Sequence, residues 1–210
     1  MQTAIKIPLR SLNPTVVKDL QEKYPNAQMQ LITEAGLPEE EVMNEDHFWE
    51  VIALLDWTKE GNDDAVIEPA VRYLSGLTAP SILSFYDLLS EKLYLLDGRD
   101  YARHSTSDDE GISSDLFLYG RCCVVANGRA YFEEVLKNPA AFPKDLSFEA
   151  LLDLPERAWF RKTGKEFDYL PKHIFETGFN PHGWGYDYFL RSTNERPRQL
   201  PPEPKPASPL

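Results

Sequence analysis

The sequence predicts a mainly α fold: a helical bundle with a small N-terminal β-α-β arm and an irregular, aromatic-rich C-terminal wrap. Three observations predict it. Apolar residues recur at helical spacing in three successive stretches between residues 46 and 96. The most apolar stretch, residues 116–126, has the length of a central helix. Asn, Thr, Pro and Gly punctuate these stretches where helix ends need them.

The arm comes first. Ala4, Ile5, Lys6, Ile7, Pro8 and Leu9 alternate like a strand, with Pro8 marking its edge or end. Asn13-Pro14 then opens a short helix bearing Val16, Val17 and Leu20, and residues 27–32 alternate again. A unit of 33 residues cannot bury its own apolar faces, so the arm, residues 1–33, must dock on the main domain or exchange with a second copy. The second option gives a homodimer.

An acidic linker, residues 34–46, leads to the helical domain, residues 47–165. Asn44 or Asp46 is placed to cap a helix carrying Phe48, Trp49, Ile52, Leu55 and Trp57. Val66, Ile67, Ala70, Val71 and Leu74 give a second helix, in which Pro69 is tolerable only near the first turn. Thr78 and Pro80 start a third and longer one, with Ile82, Leu83, Phe85, Leu88, Leu89, Leu93 and Leu96 on a broad buried stripe. Residues 97–114 read as a polar loop with some helix near Tyr101. The central helix is expected to end at Asn127-Gly128, and the next to run over residues 130–137 and stop at Asn138-Pro139. Residues 148–162 form the last amphipathic segment, which Pro155 is expected to split.

Residues 166–190 have no clean period and are expected to wrap the body, anchored by Tyr169, Phe175, Phe179 and Trp184. The tail, residues 191–210, is proline-rich and expected to be disordered and solvated. Its Arg198-to-Pro204 stretch fits a polyproline recognition pattern, but a bare tail is the simpler reading.

Charge bounds the partners. The net charge is −12, and residues 34–115 alone hold 20 Asp and Glu against five Lys and Arg, or −15. Such a surface repels phosphate backbones and anionic lipids, so neither nucleic acid nor membrane is an expected partner. It attracts a basic protein, unless the acid serves solubility alone. No apolar run approaches the ~20 residues of a bilayer span, and residues 1–10 lack a secretory pattern. The adjacent pair Cys122 and Cys123 cannot form an unstrained disulfide. A cytoplasmic address follows.

Candidate chemistry is sparse. His47, His104, His173 and His182 are scattered, with no metal-ligand spacing, and Asp108-Asp109-Glu110-Gly111 lacks the alternation of a calcium loop. Cys122 and Cys123 lie in apolar surroundings that disfavour a thiolate. No nucleophile elbow or phosphate-cradling glycine loop is present, and no cofactor is expected. One constellation remains, residues 113–121. On a helix, Asp115, Tyr119 and Cys122 share a face while Phe117 and Arg121 share another. An arginine in an apolar helix must find a carboxylate or carry a costly unpaired charge; Asp87, Glu91 and Asp97 are the expected partners. The structural reading makes Arg121 a bridge between helices, and the functional one makes it an anion reader in a cleft.

Phe48-Trp49, the long helix from Ile82, and Asp115-x-Phe117-x-Tyr119-x-Arg121 followed by Asn127-Gly128-Arg129 resemble the bacterial DUF4240 family, whose function is unknown. That family opens with Phe-Trp and carries Ser-Asp-Asp-Gly-Phe-x-Tyr-Phe-Arg, then Trp-Leu-Ile-Ala-Gln-Gly. Ser113, Asp115, Phe117, Tyr119 and Arg121 fall on the first motif, and Ala126-Asn127-Gly128 on the end of the second. The likeness continues through Tyr131, Leu136, Asn138-Pro139 and Arg161-Lys162-Thr163-Gly164. Ser114 stands where the family has its first aspartate and Leu116 where it has glycine, so a catalytic pair of adjacent aspartates would be incomplete. The resemblance implies a helical domain and supplies no activity.

Two functions follow as expectations. The first is a non-enzymatic acidic protein-binding domain, immunity- or antitoxin-like, toward a basic partner. The alternative is a small-ligand sensor or hydrolase using Asp115, Tyr119 and Arg121. Trp49 and His104 complete the set of candidate binding residues.

Overall fold

The computed structural model describes residues 42–106 and 113–185. By contacts the chain divides into two compact units, Met1–Gly36 and Leu37–Leu210. The expected β-α-β arm, its exchange between copies, the acidic loop at 107–112 and the proline-rich tail lie outside the described residues.

Within the second unit the described residues are helical and contain no strand. The helices are α1 (Glu45–Ile52), α2 (Asp63–Gly76), α3 (Ala79–Leu95), α4 (Arg99–Ala102), α5 (Ser114–Ala126), α6 (Arg129–Lys137), α7 (Ala150–Thr163) and α8 (Pro181–Trp184). Short 3-10 turns cover Trp57–Lys59 and Pro139–Ala141. Four of the helices, α1, α2, α3 and α5, start at a side chain that caps them. Asn44 accepts the His47 amide at 2.8 Å, Asn62 that of Ala65 at 3.2 Å, Thr78 that of Ser81 at 3.3 Å and Ser113 that of Leu116 at 3.1 Å. These caps satisfy amides that the helices themselves leave open.

The core sits around α5. From Gly120 to Ala126 every residue is buried, so this helix is enclosed on all sides rather than on one stripe. Gly128, at φ +91°, lets the chain leave α5 and enter α6 directly. α2 lies along α7, with Val66, Ile67, Ala70, Val71 and Leu74 buried on one helix and Leu151, Leu154 and Ala158 on the other. The outer edge of this pair is bridged by charge. Arg161 grips Glu68 with two hydrogen bonds of 3.0 and 2.9 Å, and Arg157 meets Asp64 at 2.6 Å.

Three expectations about helix limits need correction. α1 ends at Ile52, and Trp57 belongs to a separate 3-10 turn, because the chain bends at Ala53 and buries Leu55 on its own. Pro69 is the seventh residue of α2, well past its first turn. Pro155 does not split the last segment, since α7 runs unbroken from Ala150 to Thr163. A proline removes one ladder bond, and burial of these helices against each other offsets that loss.

Burial also governs the thiols. Cys122 is fully enclosed and its pKa is pushed well above the ordinary thiol range, chiefly by desolvation. Burial raises Cys123 to about 11. Both cysteines are free. Neither should react with a disulfide reagent at pH 8 in the folded protein, whereas both should react once it is unfolded in guanidinium. Rapid native labelling of either thiol, read by absorbance, would contradict this enclosure.

Candidate functional site

Arg121 is the largest side chain fully removed from solvent. Its helix fixes it there, because α5 is surrounded and one of its faces must carry the guanidinium inward. The expected carboxylate partners do not pair with it. Among the described residues Arg121 makes no ion pair; instead Nη1 donates to the Leu93 carbonyl at 2.9 Å and Nη2 to the Thr177 hydroxyl at 3.0 Å. The guanidinium also lies 4.9 Å from the centre of the Phe117 ring. Its Nε is buried and has no hydrogen-bond partner. Burial pulls the pKa of Arg121 below its ordinary value, opposed by the negative charge of Asp97. Even so, a guanidinium stays cationic in a protein.

Asp97, just past α3, is the counterweight. It is fully buried and spends its oxygens on other donors: the amides of Gly178 at 3.0 and 3.1 Å, Phe179 at 2.8 Å and Asn180 at 2.9 Å. The Trp184 indole N–H donates to it as well, at 2.7 Å. Thr177, next in the chain to the Asp97 donor Gly178, accepts from Arg121 through its hydroxyl and donates to the Ser114 carbonyl at 2.7 Å.

The donors to Asp97 come from residues 178–180, in a stretch without regular secondary structure at 164–180, and from α8; they fall within the expected wrap at residues 166–190, of which 186–190 lie outside the described residues. Asp87 on α3 fastens it a second time. Its carboxylate accepts the Tyr169 hydroxyl at 3.2 and 3.1 Å and the Lys172 amide at 2.9 Å, and it meets Lys172 Nζ at 3.1 Å. Of the expected anchors, Trp184 is buried, while Tyr169, Phe175 and Phe179 are half-buried. The attachment is both polar and aromatic, since the rings of Phe167 and Phe175 meet Tyr86 at 5.4 and 6.1 Å and Trp184 meets Phe117 at 6.1 Å.

Gly183 and Gly98 allow the closest approach in this region. A Cβ added at Gly183 would collide with the Asp97 carbonyl and lie 2.8 Å from the Gly98 Cα, both backbone atoms that cannot swing aside. Gly183→Ala should thus lift α8 and expose Trp184. The expected result is a red-shifted tryptophan emission and a stability loss of about 2 kcal/mol. Unchanged emission and melting temperature would show that the two backbones are not in contact.

The other candidate residues are not brought to Arg121. Asp115 is exposed in the first turn of α5, and Tyr119 one turn later donates to Glu149 at 2.9 Å. That bond to a carboxylate, followed by burial and the charges of Glu149 and Asp115, raises the Tyr119 pKa above its ordinary value. At neutral pH it is a protonated phenol. Asp115 and Tyr119 share a face, as the helical spacing implies, and Arg121 occupies a different one.

Trp49 is buried against Phe48 and Phe132, with ring centroids at 4.9 and 5.3 Å, and its indole N–H donates to Glu45 at 3.3 Å. Glu45 also pairs with Lys92 at 2.8 Å. This lysine is buried and was missed by sequence reasoning, although it sits seven residues after Phe85 and four before Leu96, on the apolar face of α3. His104 is half-buried just beyond α4. No group of three or more His, Cys, Asp or Glu among the described residues is arranged to hold a metal ion.

Chemically, this arrangement is a pair of opposite buried charges, each satisfied mostly by backbone and hydroxyl groups rather than by the other. It closes the bundle by holding down an irregular segment. The model of a family described as a protein of unknown function, DUF4240, matches residues 43–173. That span includes Trp49, Asp87, Asp97, Asp115, Tyr119 and Arg121, and stops short of the donors Gly178, Phe179, Asn180 and Trp184. No curated protein and no solved structure matches the chain. With well over half of its length matched, from the Phe-Trp of α1 through the Arg121 helix, the chain belongs to the DUF4240 family.

Proposed function

We propose that this chain is a non-enzymatic binding domain for a basic protein partner, in the manner of an immunity or antitoxin protein. The observation that carries the proposal is the charge of −15 over residues 34–115. On the described surface, Glu50, Glu60 and Asp63 are exposed, with no ion pair among the described residues to neutralise them. Unneutralised carboxylates on a rigid scaffold raise the local concentration of a cationic partner and accelerate its docking. No helix among the described residues is long and apolar enough to cross a membrane.

The alternative, a small-ligand sensor or hydrolase, requires Arg121 to reach a cleft beside Asp115 and Tyr119. The buried position of Arg121 and its bonds to Leu93 and Thr177 weigh against it.

Affinity capture with the full chain, followed by mass spectrometry, tests the proposal at ionic strengths on either side of physiological. A defined basic protein should be retained at low salt and released as salt rises. Retention of nothing at low ionic strength, or of acidic proteins alone, would contradict it.

A further inference from the structure

We infer that the docking surface is the corner between α1 and α2, and that the partner places an arginine side chain on Trp57. The inference rests on the proposed binding of a basic partner and names where and how it occurs.

Trp57 is 42 % exposed and Leu54 37 % exposed, both in the segment that connects α1 to α2. A tryptophan is a costly residue to leave in water, and exposed aromatics of this kind serve as binding anchors. The ring is also held still. Phe148, itself buried, lies behind it at a centroid distance of 5.0 Å. The 3-10 turn is closed by Asp56, whose carboxylate accepts the Thr58 amide at 3.1 Å, and the Asp56 amide donates to the Val66 carbonyl at 3.0 Å. The indole is therefore presented on a backbone already fixed to α2, so little ordering entropy remains to be lost on binding.

The rim supplies the sign of the partner. Residues 50–64 contain Glu50, Asp56, Glu60, Asp63 and Asp64 against the single cation Lys59. Asp64 is neutralised by Arg157, and Glu50, Glu60 and Asp63 are not neutralised among the described residues. An exposed indole beside free carboxylates complements a group that is both flat and cationic. Guanidinium fits both requirements: it stacks on the ring and donates two parallel hydrogen bonds to a carboxylate. An ammonium is more strongly hydrated and has no planar face to stack, so a lysine would gain less from the ring than an arginine.

Fluorescence anisotropy with labelled nona-arginine and nona-lysine tests the inference on the full chain. The wild type should bind the arginine peptide more tightly. W57A should weaken that peptide by about tenfold and remove the preference. Because W57A also uncovers Phe148, the second variant is E60K/D63K, both at exposed positions, with E134K/E166K as a control of equal charge change elsewhere. E60K/D63K should weaken binding well beyond the control, with all variants checked by thermal unfolding. If W57A and E60K/D63K bind like the wild type and the control, the surface lies elsewhere, although salt-dependent binding by the wild type would still support the proposed function. Equal affinity for the two peptides would overturn the role of arginine. Binding of neither peptide at low salt would overturn the proposed function itself.

Discussion

Asp97→Asn should destabilise the protein by about 3 kcal/mol and release residues 177–184 from the bundle. The carboxylate receives three backbone amides and one indole N–H, all from the wrap. Asparagine has nearly the same shape but offers one acceptor oxygen, and its own NH2 would face donors. Turned to keep the three amides, its oxygen leaves the Trp184 indole N–H facing the NH2; turned the other way it leaves the Phe179 and Asn180 amides. One or two N–H groups thus lose their acceptor at about 1–3 kcal/mol each, and the remaining bonds lose their charge assistance. Detachment of the segment lets water solvate them, which limits the total cost. At this chain length, about 3 kcal/mol corresponds to a drop of roughly 6–12 °C in melting temperature. Trp184 should become exposed at the same time, shifting its emission to the red. Calorimetry and fluorescence check both; an unchanged melting temperature would mean that the carboxylate does not fasten the wrap.

Arg121 predicts the second large effect, and there the contrast between substitutions is the informative result. Arg121→Ala should cost about 4 kcal/mol, because it opens a cavity in the centre of the bundle and loosens Thr177. Arg121→Met should cost less, about 2 kcal/mol, since it fills similar space and sheds a desolvated charge but leaves Asp97 without the field of a cation. Asp97 would keep its N–H donors in that variant. The double variant Asp97→Asn with Arg121→Met should be less damaging than the sum of the two single changes, because neither buried charge then remains without the field of the other. Denaturant melts of the four proteins measure this coupling. If Arg121→Ala melts like the wild type, the guanidinium is not a packed core group.

Much of the helical frame is legible in the sequence, for physical reasons that differ along the chain. Asn44 and Thr78 announce helix starts because short polar side chains reach the open amides three residues on. The run at 116–126 is recognisable as a central helix because it is too long and too uniformly apolar for any other place in a helical protein. Helix length is harder. Pro155 predicts a break that does not occur, since the missing ladder bond is a local quantity and the packing of α7 along α2 is not.

The polar centre was half legible. An arginine inside an apolar helix must be satisfied, and the sequence offers Asp87, Glu91 and Asp97 alike, of which Asp97 acts on Arg121 by its charge without pairing with it. What it does not reveal is that Asp97 is already occupied. Its donors are backbone amides of Gly178, Phe179 and Asn180, groups that every residue but proline carries and that leave no mark in composition. Arg121 therefore turns to a carbonyl and a hydroxyl. Asp115 and Tyr119 share a face as their spacing requires, yet spacing along one helix cannot show that Glu149 on the α7 side would take the phenol. Lys92 was the clearest omission, a lysine on an apolar stripe that signals a buried ion pair by position alone.

The account stands on the claim that the buried charges of this family domain hold the wrap closed, leaving recognition to the acidic surface. Amide hydrogen exchange at Gly178, Phe179 and Asn180 tests that most directly. Exchange slowed nearly as much as in α5, and accelerated by Asp97→Asn, is the predicted result. Exchange at the rate of an unstructured peptide in the wild-type protein would contradict it, because Asp97 and Arg121 would then face an open cleft.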